Sequence, residues 1–117
     1  MAVSSVRRIL HELTGDFIGQ YDVVAATNGV SPGKVDVISL ASGNNTITPP
    51  SGGTTPKAIT IVPPAGNAVL IILKGVNGDT GIELHKTDPT SIGLNSPTNT
   101  LVLNAASALD GVRLIWS

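Results

Sequence analysis

The chain has 117 residues, of which 41% are hydrophobic and only 13% are charged, and its net charge at pH 7 is −1. This length suits one domain with a single core, and the hydrophobic share argues against a disordered chain. The absence of cysteine excludes disulfides, thiolate catalysis and cysteine-based metal sites. The low charge indicates that uncharged polar residues, or neighbouring subunits, cover much of the surface.

The distribution of charged and apolar residues disfavours two classes of partner. The seven Lys and Arg residues are scattered along the chain, so no concentrated positive surface for nucleic acid is expected. No apolar run approaches the roughly 18 residues of a membrane span. Residues 1–18 also lack the uninterrupted apolar stretch of a signal peptide. We therefore expect neither nucleic acid nor a membrane as a partner.

Residues 1–33 are predicted to form an N-terminal arm, separate from a domain at residues 34–117. Val6, Leu10 and Leu13 recur at helical spacing, Ser4 or Ser5 can cap the start, and Gly15 can end the pattern. This pattern predicts a short helix in the arm. A helix of about three turns is marginal in water without a packing partner.

The second half of the arm carries two of the chain's three aromatic residues. Phe17 and Tyr21 are four positions apart and resemble anchors for this segment. One strand is predicted around residues 21–25, before turn-forming residues. Because an arm with few large apolar groups gains little by folding on itself, we expect it to reach an adjacent subunit.

Short strands and turn-forming residues alternate over residues 34–117. The turns are rich in Gly, Pro, Asn, Asp and Ser, which favour bends for separate stereochemical reasons. The predicted strands are VDVISLA (35–41), NTIT (45–48), KAITIVP (57–63), AVLIILK (68–74), TGIELHK (80–86), NTLVLNA (99–105) and GVRLIW (111–116). The pattern predicts an all-β fold, an antiparallel β-sandwich of about seven strands, Greek-key or jelly-roll-like.

Alternation of apolar and polar residues identifies the inner faces of these strands. Ile82 and Leu84 are expected to share one face, and Val112, Leu114 and Trp116 another. The stretch at 68–73 is apolar on both faces, so it is expected to be covered twice, by the opposing sheet and by the arm or a neighbouring subunit.

Asp79-Thr80-Gly81 matches the active-site tripeptide of aspartic proteases. That chemistry needs two carboxylates that share a proton, so a chain with one copy must dimerise. In that family a hydrophobic strand runs directly into the Asp, whereas here Asn77-Gly78, a strong tight-turn signal, precedes it. The sequence favours a turn in which Asn77 and Gly78 bend the chain and Asp79 and Thr80 hydrogen-bond local backbone, with a protease using Asp79 as a remote alternative.

Other chemical sites have weaker patterns. The two histidines, His11 and His85, have no metal-ligand spacing. A calcium site in the loop at 77–79 would need more carboxylates than Asp79 and Glu83 supply. No nucleophile elbow and no phosphate-binding loop before a helix occur. We therefore predict no catalytic residue, no metal site and no cofactor.

A glycan-binding module is an alternative of a different class, since many such modules are β-sandwiches of this size. Sugar sites usually stack the ring of the sugar on an exposed aromatic side chain. Of the three aromatic residues, Trp116 shares a face with Val112 and Leu114, which predicts a core position for it. An aromatic platform for a sugar is therefore poorly supplied.

The stretch from Asn44 to Ser117 resembles small β-sandwich virion proteins of tailed bacteriophages. The resemblance lies in Thr/Asn/Gly/Pro-rich loops, a Lys-Gly-x-x-Gly-Asp-Thr-Gly turn at 74–81 and a terminal strand closing on Trp116. It covers about two-thirds of the chain. It implies a non-enzymatic protein that decorates or cements a capsid, or sits in a tail or fibre base, after synthesis in the host cytoplasm.

The predicted partners are further copies of this chain, as a trimer or higher oligomer, and other virion proteins such as the major capsid protein. Contact is expected through the arm and through the doubly apolar strand. The predicted interface residues are Val6, Leu10, Leu13, Phe17, Tyr21, Val69, Ile71 and Leu73.

Overall fold

The computed structural model describes residues 34–50, 56–95 and 100–117, together with the backbone of four short strands at 4–5, 8–11, 24–27 and 31–32. Every element within these residues is a strand. In chain order the strands are β1 Ser4–Ser5, β2 Arg8–His11, β3 Val24–Thr27, β4 Ser31–Pro32, β5 Lys34–Leu40, β6 Gly43–Ile47, β7 Ala58–Val62, β8 Ile71–Lys74, β9 Ile82–Glu83, β10 Thr90–Gly93, β11 Leu101–Ala105 and β12 Leu109–Trp116. In this part of the chain, no helix has the length and apolar character needed to span a membrane.

The last eight of these strands form two four-stranded antiparallel sheets. Sheet I has the order β10-β7-β12-β5, and sheet II has the order β6-β11-β8-β9. Of the seven connections between consecutive strands, only the β8–β9 connection stays within one sheet. The chain therefore crosses between the sheets at the other six, which ties the two layers together.

The inward faces of both sheets meet in one apolar core. Strands from both sheets contribute because their side chains alternate between core and solvent. The buried cluster consists of Leu40, Ile47, Ile59, Ile61, Ile71, Leu73, Leu84, Leu103, Ala105, Val112, Leu114 and Trp116. The predicted inner face of Val112, Leu114 and Trp116 is confirmed, and Trp116 is fully buried.

Strand β12 begins earlier than its sequence predicts. The predicted strand begins at residue 111, but Leu109 and Asp110 also lie within β12, where two residues oppose one on β5. Gly111 has φ +80°, which a β-bulge accommodates and a non-glycine residue rarely adopts. Gly111 therefore belongs to a β-bulge inside β12, whereas the sequence predicts that it starts the strand.

Strand β8 is shorter and less covered than its sequence predicts. Ile71 and Leu73 are buried in the core, whereas Ile72, on the other face, is half-buried. The double cover predicted for 68–73 is therefore only partial in a single chain. Strand β10 has no counterpart among the predicted strands, because Thr90-Ser91-Ile92-Gly93 contains a single large apolar residue.

The helix predicted in the arm falls largely outside the described residues. Within that stretch the structure describes only the backbone of Ser4–Ser5 and Arg8–His11, and Arg8–His11 pairs antiparallel with Val24–Thr27. Ser4–Ser5 pairs in the same way with Ser31–Pro32.

Candidate functional site

The β8–β9 connection at 75–81 is a turn organised by Asp79. Asp79 Oδ2 accepts hydrogen bonds from the backbone N–H groups of Gly75 and Val76, each at 3.0 Å. The backbone N–H of Asp79 donates to the carbonyl oxygen of Val76 at 3.1 Å. The predicted local hydrogen bonding of Asp79 is confirmed.

Asn77 and Gly78 bend the chain as predicted, with a different geometry from the usual Asn-Gly hairpin. Both are the central residues of the turn closed by Val76 and Asp79, and neither has a positive φ. The mirror-image hairpin turn that favours Asn-Gly needs positive φ at both positions. Here the backbone N–H of Asp79 donates to the Val76 carbonyl oxygen, and the Asp79 carboxylate adds the bonds from the Gly75 and Val76 amides.

Asn77 also ties the turn to sheet II. Its carbonyl oxygen accepts hydrogen bonds from Asn44 Nδ2 and Lys74 Nζ, each at 3.3 Å. Asn44 Oδ1 in turn accepts from Asn104 Nδ2 at 2.7 Å on the neighbouring strand. The turn is thus attached to three strands of the sheet through polar side chains.

The backbone geometry at position 81 requires glycine. Its φ is +79°, and a Cβ atom there would lie 2.6 Å from both Ile72 Cγ2 and the carbonyl oxygen of Leu73. Any larger residue would therefore be strained and would collide with β8. Asp79 and Gly81 are both accounted for by the turn, without reference to catalysis.

An apolar cleft lies beside this turn, at the edge of the sandwich where β9 and β10 are the outermost strands. Its volume is about 550 Å³. The lining residues are Leu73, Lys74, Gly75, Asp79, Thr80, Gly81, Ile82, Ile92 and Leu101. A neighbouring cavity of about 370 Å³ shares Gly75, Asp79 and Leu101 and adds Val76, Leu94 and Thr100.

The cleft is open because the inner surface of sheet II extends past its cover. Ile82 lies opposite Leu73 in the β8–β9 register, so both side chains point to the same, inward face. Ile82 is nevertheless 67% exposed and Val76, in the turn, is 62% exposed. The inward position of Ile82 agrees with the face predicted for Ile82 and Leu84, but of the two only Leu84 is buried. An apolar floor with a polar rim is the usual composition of a binding site.

His85 serves a separate turn. Its Nδ1 accepts hydrogen bonds from the backbone N–H groups of Asp88 at 2.9 Å and Thr87 at 3.2 Å. A nitrogen that accepts these bonds carries no proton, so its 3.7 Å approach to Asp88 Oδ2 is not an ion pair in this tautomer. Within the described residues, no group of three or more His, Asp or Glu side chains could hold a metal ion.

The predicted interface residues fall into two groups. Ile71 and Leu73 are buried in the core, Val69 is half-buried against it, and Leu73 also lines the cleft. Leu10 lies on β2. Val6, Leu13, Phe17 and Tyr21 lie outside the described residues.

Sequence reasoning missed the strongest apolar surface of sheet I. Val35 and Val37 on β5 point outward and are 57% and 68% exposed. Ile115 of β12 lies opposite Val35 and is half-buried on the same face. The sequence of β5 carried a signal for this surface. Its valines alternate with the charged residues Lys34 and Asp36, and the valines are the residues on the outer face.

Comparisons with protein-family models, with curated proteins and with solved structures gave no match for this chain.

Proposed function

We propose that this chain is a non-enzymatic structural subunit of a tailed-bacteriophage virion, which decorates or cements the capsid by binding copies of itself and neighbouring capsid protein. A tail or fibre-base position in the same particle is the second form of this proposal. The observation that carries it is the outward apolar surface of β5 (Val35 and Val37, with Ile115 beside them), here called the β5 face.

The strand order supports the proposal. Eight strands in two four-stranded antiparallel sheets, with the chain crossing between sheets at all but one connection, have the arrangement of a jelly roll. Jelly rolls recur in viral capsid and lectin domains, so the fold alone favours no single function. It supplies a rigid block whose outer faces and edges are available for contacts.

The β5 face supports assembly through side chains. Contiguous exposed apolar surface on a soluble protein marks an interaction site. Lys34 Nζ and Asp36 Oδ1 form an ion pair at 3.3 Å on the same strand, and charged residues on an edge strand disfavour open-ended strand addition. The exposed valines can thus contact a partner, while the charged residues of the same strand disfavour the addition of further strands at its edge.

The turn geometry supports a non-catalytic role for Asp79. One oxygen of its carboxylate is engaged by two backbone amides of its own loop. The shared proton of an aspartic protease requires a second carboxylate at close range, supplied by a second copy. The geometry of the turn accounts for both Asp79 and Gly81. In this proposal the Asp-Thr-Gly tripeptide therefore serves the turn and not catalysis.

Copurification tests the proposal. The chain is expressed with a cleavable tag in a phage-infected host, and purified particles are assayed for it by mass spectrometry with isotope-labelled standard peptides. A fixed number of copies per particle that equals the number of symmetry-related positions in the capsid, or a multiple of it, supports decoration. A small fixed number supports the tail or fibre base. Absence of the chain from purified particles would reject the proposal.

A further inference from the structure

The cleft between β9 and β10 is an unfilled extension of the core. Leu73, Ile82 and Ile92 line it, and the first two point inward from sheet II. Its volume of about 550 Å³ falls within the range of ordinary ligand pockets. When an apolar group covers surface of this kind and removes it from water, the free energy of the system falls.

We propose that this cleft binds apolar side chains from the N-terminal arm, residues 1–33, of a second copy of the chain. The inference rests on the proposed function, in which the chain acts by assembling with its own copies. In a single chain Ile82, at the mouth of the cleft, and Val76, in the neighbouring cavity, stay 67% and 62% exposed. In this proposal the arm of a second copy covers them.

Composition identifies the arm as the matching segment. Two other stretches outside the described residues, 51–55 and 96–99, read Ser-Gly-Gly-Thr-Thr and Ser-Pro-Thr-Asn and carry no large aliphatic or aromatic side chain. Residues 12–23, which join β2 to β3, carry Leu13, Phe17, Ile18 and Tyr21. Since His11 pairs with Val24, the midpoint of this connection falls between Phe17 and Ile18.

The edges of the cleft suit an extended segment. Strands β9 and β10 are the outermost strands of their sheets, and β9 has one edge that no other described strand pairs with. A segment that lies along such an edge can form main-chain hydrogen bonds while alternate side chains enter a pocket. The apolar floor would then select aliphatic or aromatic residues, which the midpoint of the arm connection supplies.

The arm of the same chain must be distinguished from that of a second copy. Lys34, where the arm ends, lies in one cross-strand row of sheet I with Trp116, Ile59 and Ile92. This row places Lys34 three strand spacings, or roughly 14 Å, from the Ile92 side of the cleft. An extended segment of about five residues covers that distance, so the test must separate the two sources.

The absence of native cysteine allows a direct test with single-cysteine full-length chains. Ile82→Cys and Phe17→Cys variants, one of them carrying a mass tag, are mixed and oxidised under mild conditions. We expect a disulfide-linked pair containing one chain of each kind. A mixture of Thr46→Cys and Phe17→Cys is the matched control, because Thr46 is also exposed but lies on β6, at the opposite edge of sheet II from β9, and it should give no such pair above background.

Two results would overturn the inference. A double variant with Ile82→Cys and Phe17→Cys in one chain is oxidised in parallel. If only this double variant forms a disulfide, and forms it within itself, the arm of the same copy fills the cleft. If neither arrangement forms a specific disulfide, the arm does not enter the cleft.

Self-association of the full chain provides a second readout, measured by sedimentation velocity. Ile82→Ser should weaken association about tenfold, as expected for losing one buried isoleucine contact. Adding Phe17→Ser to Ile82→Ser should weaken it little further, because contacting residues are not additive. If Ile82→Ser leaves association unchanged while Val37→Ser weakens it, the cleft inference fails and the proposed function stands. A chain that neither self-associates nor copurifies with particles would reject both.

Discussion

Leu73 and Ile82 lie opposite each other in the β8–β9 register, yet Leu73 is 9% exposed and Ile82 is 67% exposed. The difference follows from the position of their strands. Strand β8 lies between β9 and β11, whereas β9 is a two-residue strand at the edge of sheet II. Two cross-strand neighbours with similar side chains therefore belong to different environments, one in the core and one at the mouth of the cleft.

Truncation of these two side chains should separate the environments. Leu73→Ala removes buried methyl groups and should lower the free energy of unfolding by about 3 kcal/mol. Ile82→Ala removes a side chain that is mostly in water and should cost less than about 1 kcal/mol. Urea unfolding followed by the fluorescence of Trp116, the single tryptophan, measures both. Equal losses would show that the cleft is closed in solution.

Gly81 and Gly78 form a matched pair for testing the turn. Gly81→Ala imposes a positive φ on alanine and brings its Cβ within 2.6 Å of β8, so it should cost about 3 kcal/mol. Gly78 has no positive φ, and a Cβ atom at this position would have no other atom within 4 Å, so Gly78→Ala should be neutral or slightly stabilising. Urea midpoints at equal slope measure the difference, and a tolerated Gly81→Ala would contradict the described turn.

Asp79 should behave as a turn residue. Asp79→Ala removes the acceptor for the Gly75 and Val76 amides and should lower the free energy of unfolding by about 1 kcal/mol, since the site is exposed. Asp79→Asn keeps an acceptor oxygen and should lose less. A peptide-library cleavage assay is run beside the unfolding measurement. Cleavage by the unmodified chain that disappears in Asp79→Asn would establish the protease alternative.

The sandwich strands were largely predictable because their residues alternate locally. Six of the seven predicted strands coincide with an observed strand over most of the predicted length, and the exception is the one at 80–86. They were predictable because period-2 patterns and turn residues act over a few positions. Strand β10 was missed because its single large apolar residue, Ile92, gives no alternation. Its place in the sheet depends on pairing with β7, which is a long-range contact.

The candidate sites were less predictable, because exposure depends on what lies opposite. The sequence favoured an inward position for Ile82, and its register agrees, but no covering strand among the described residues reaches it. The exposure of Val35 and Val37 likewise depends on what lies against the outer face of sheet I, which their local pattern does not specify. The role of Asp79 in its turn was predictable because Gly75 and Val76 are only four and three residues away.

Buried Asn67 should be the most sensitive polar residue of the sandwich. Its Nδ2 donates to the carbonyl oxygens of Lys86 at 2.8 Å and Val69 at 2.9 Å, and its Oδ1 accepts from the Val69 N–H at 2.9 Å. Asn67→Ala leaves these buried groups without partners and should cost about 2–3 kcal/mol. Asn44→Ala, at an exposed position, is the control and should cost less than about 1 kcal/mol. Similar losses in the two variants would argue against a structural role for the Asn67 network.

The β5 face should govern association without governing stability. Val37→Lys places a charge in an apolar contact, where desolvation without a partner is unfavourable, and should weaken self-association at least about tenfold. Its free energy of unfolding should change by less than about 0.5 kcal/mol, because Val37 is 68% exposed.

Thr46→Lys is the matched control, because it adds the same charge at an exposed position on sheet II. Sedimentation velocity on the full chain compares the two variants, and urea unfolding confirms that both are folded. If both variants weaken association equally, the effect is one of net charge. If neither does, the β5 face is not the contact surface, and the exposed valines need another occupant.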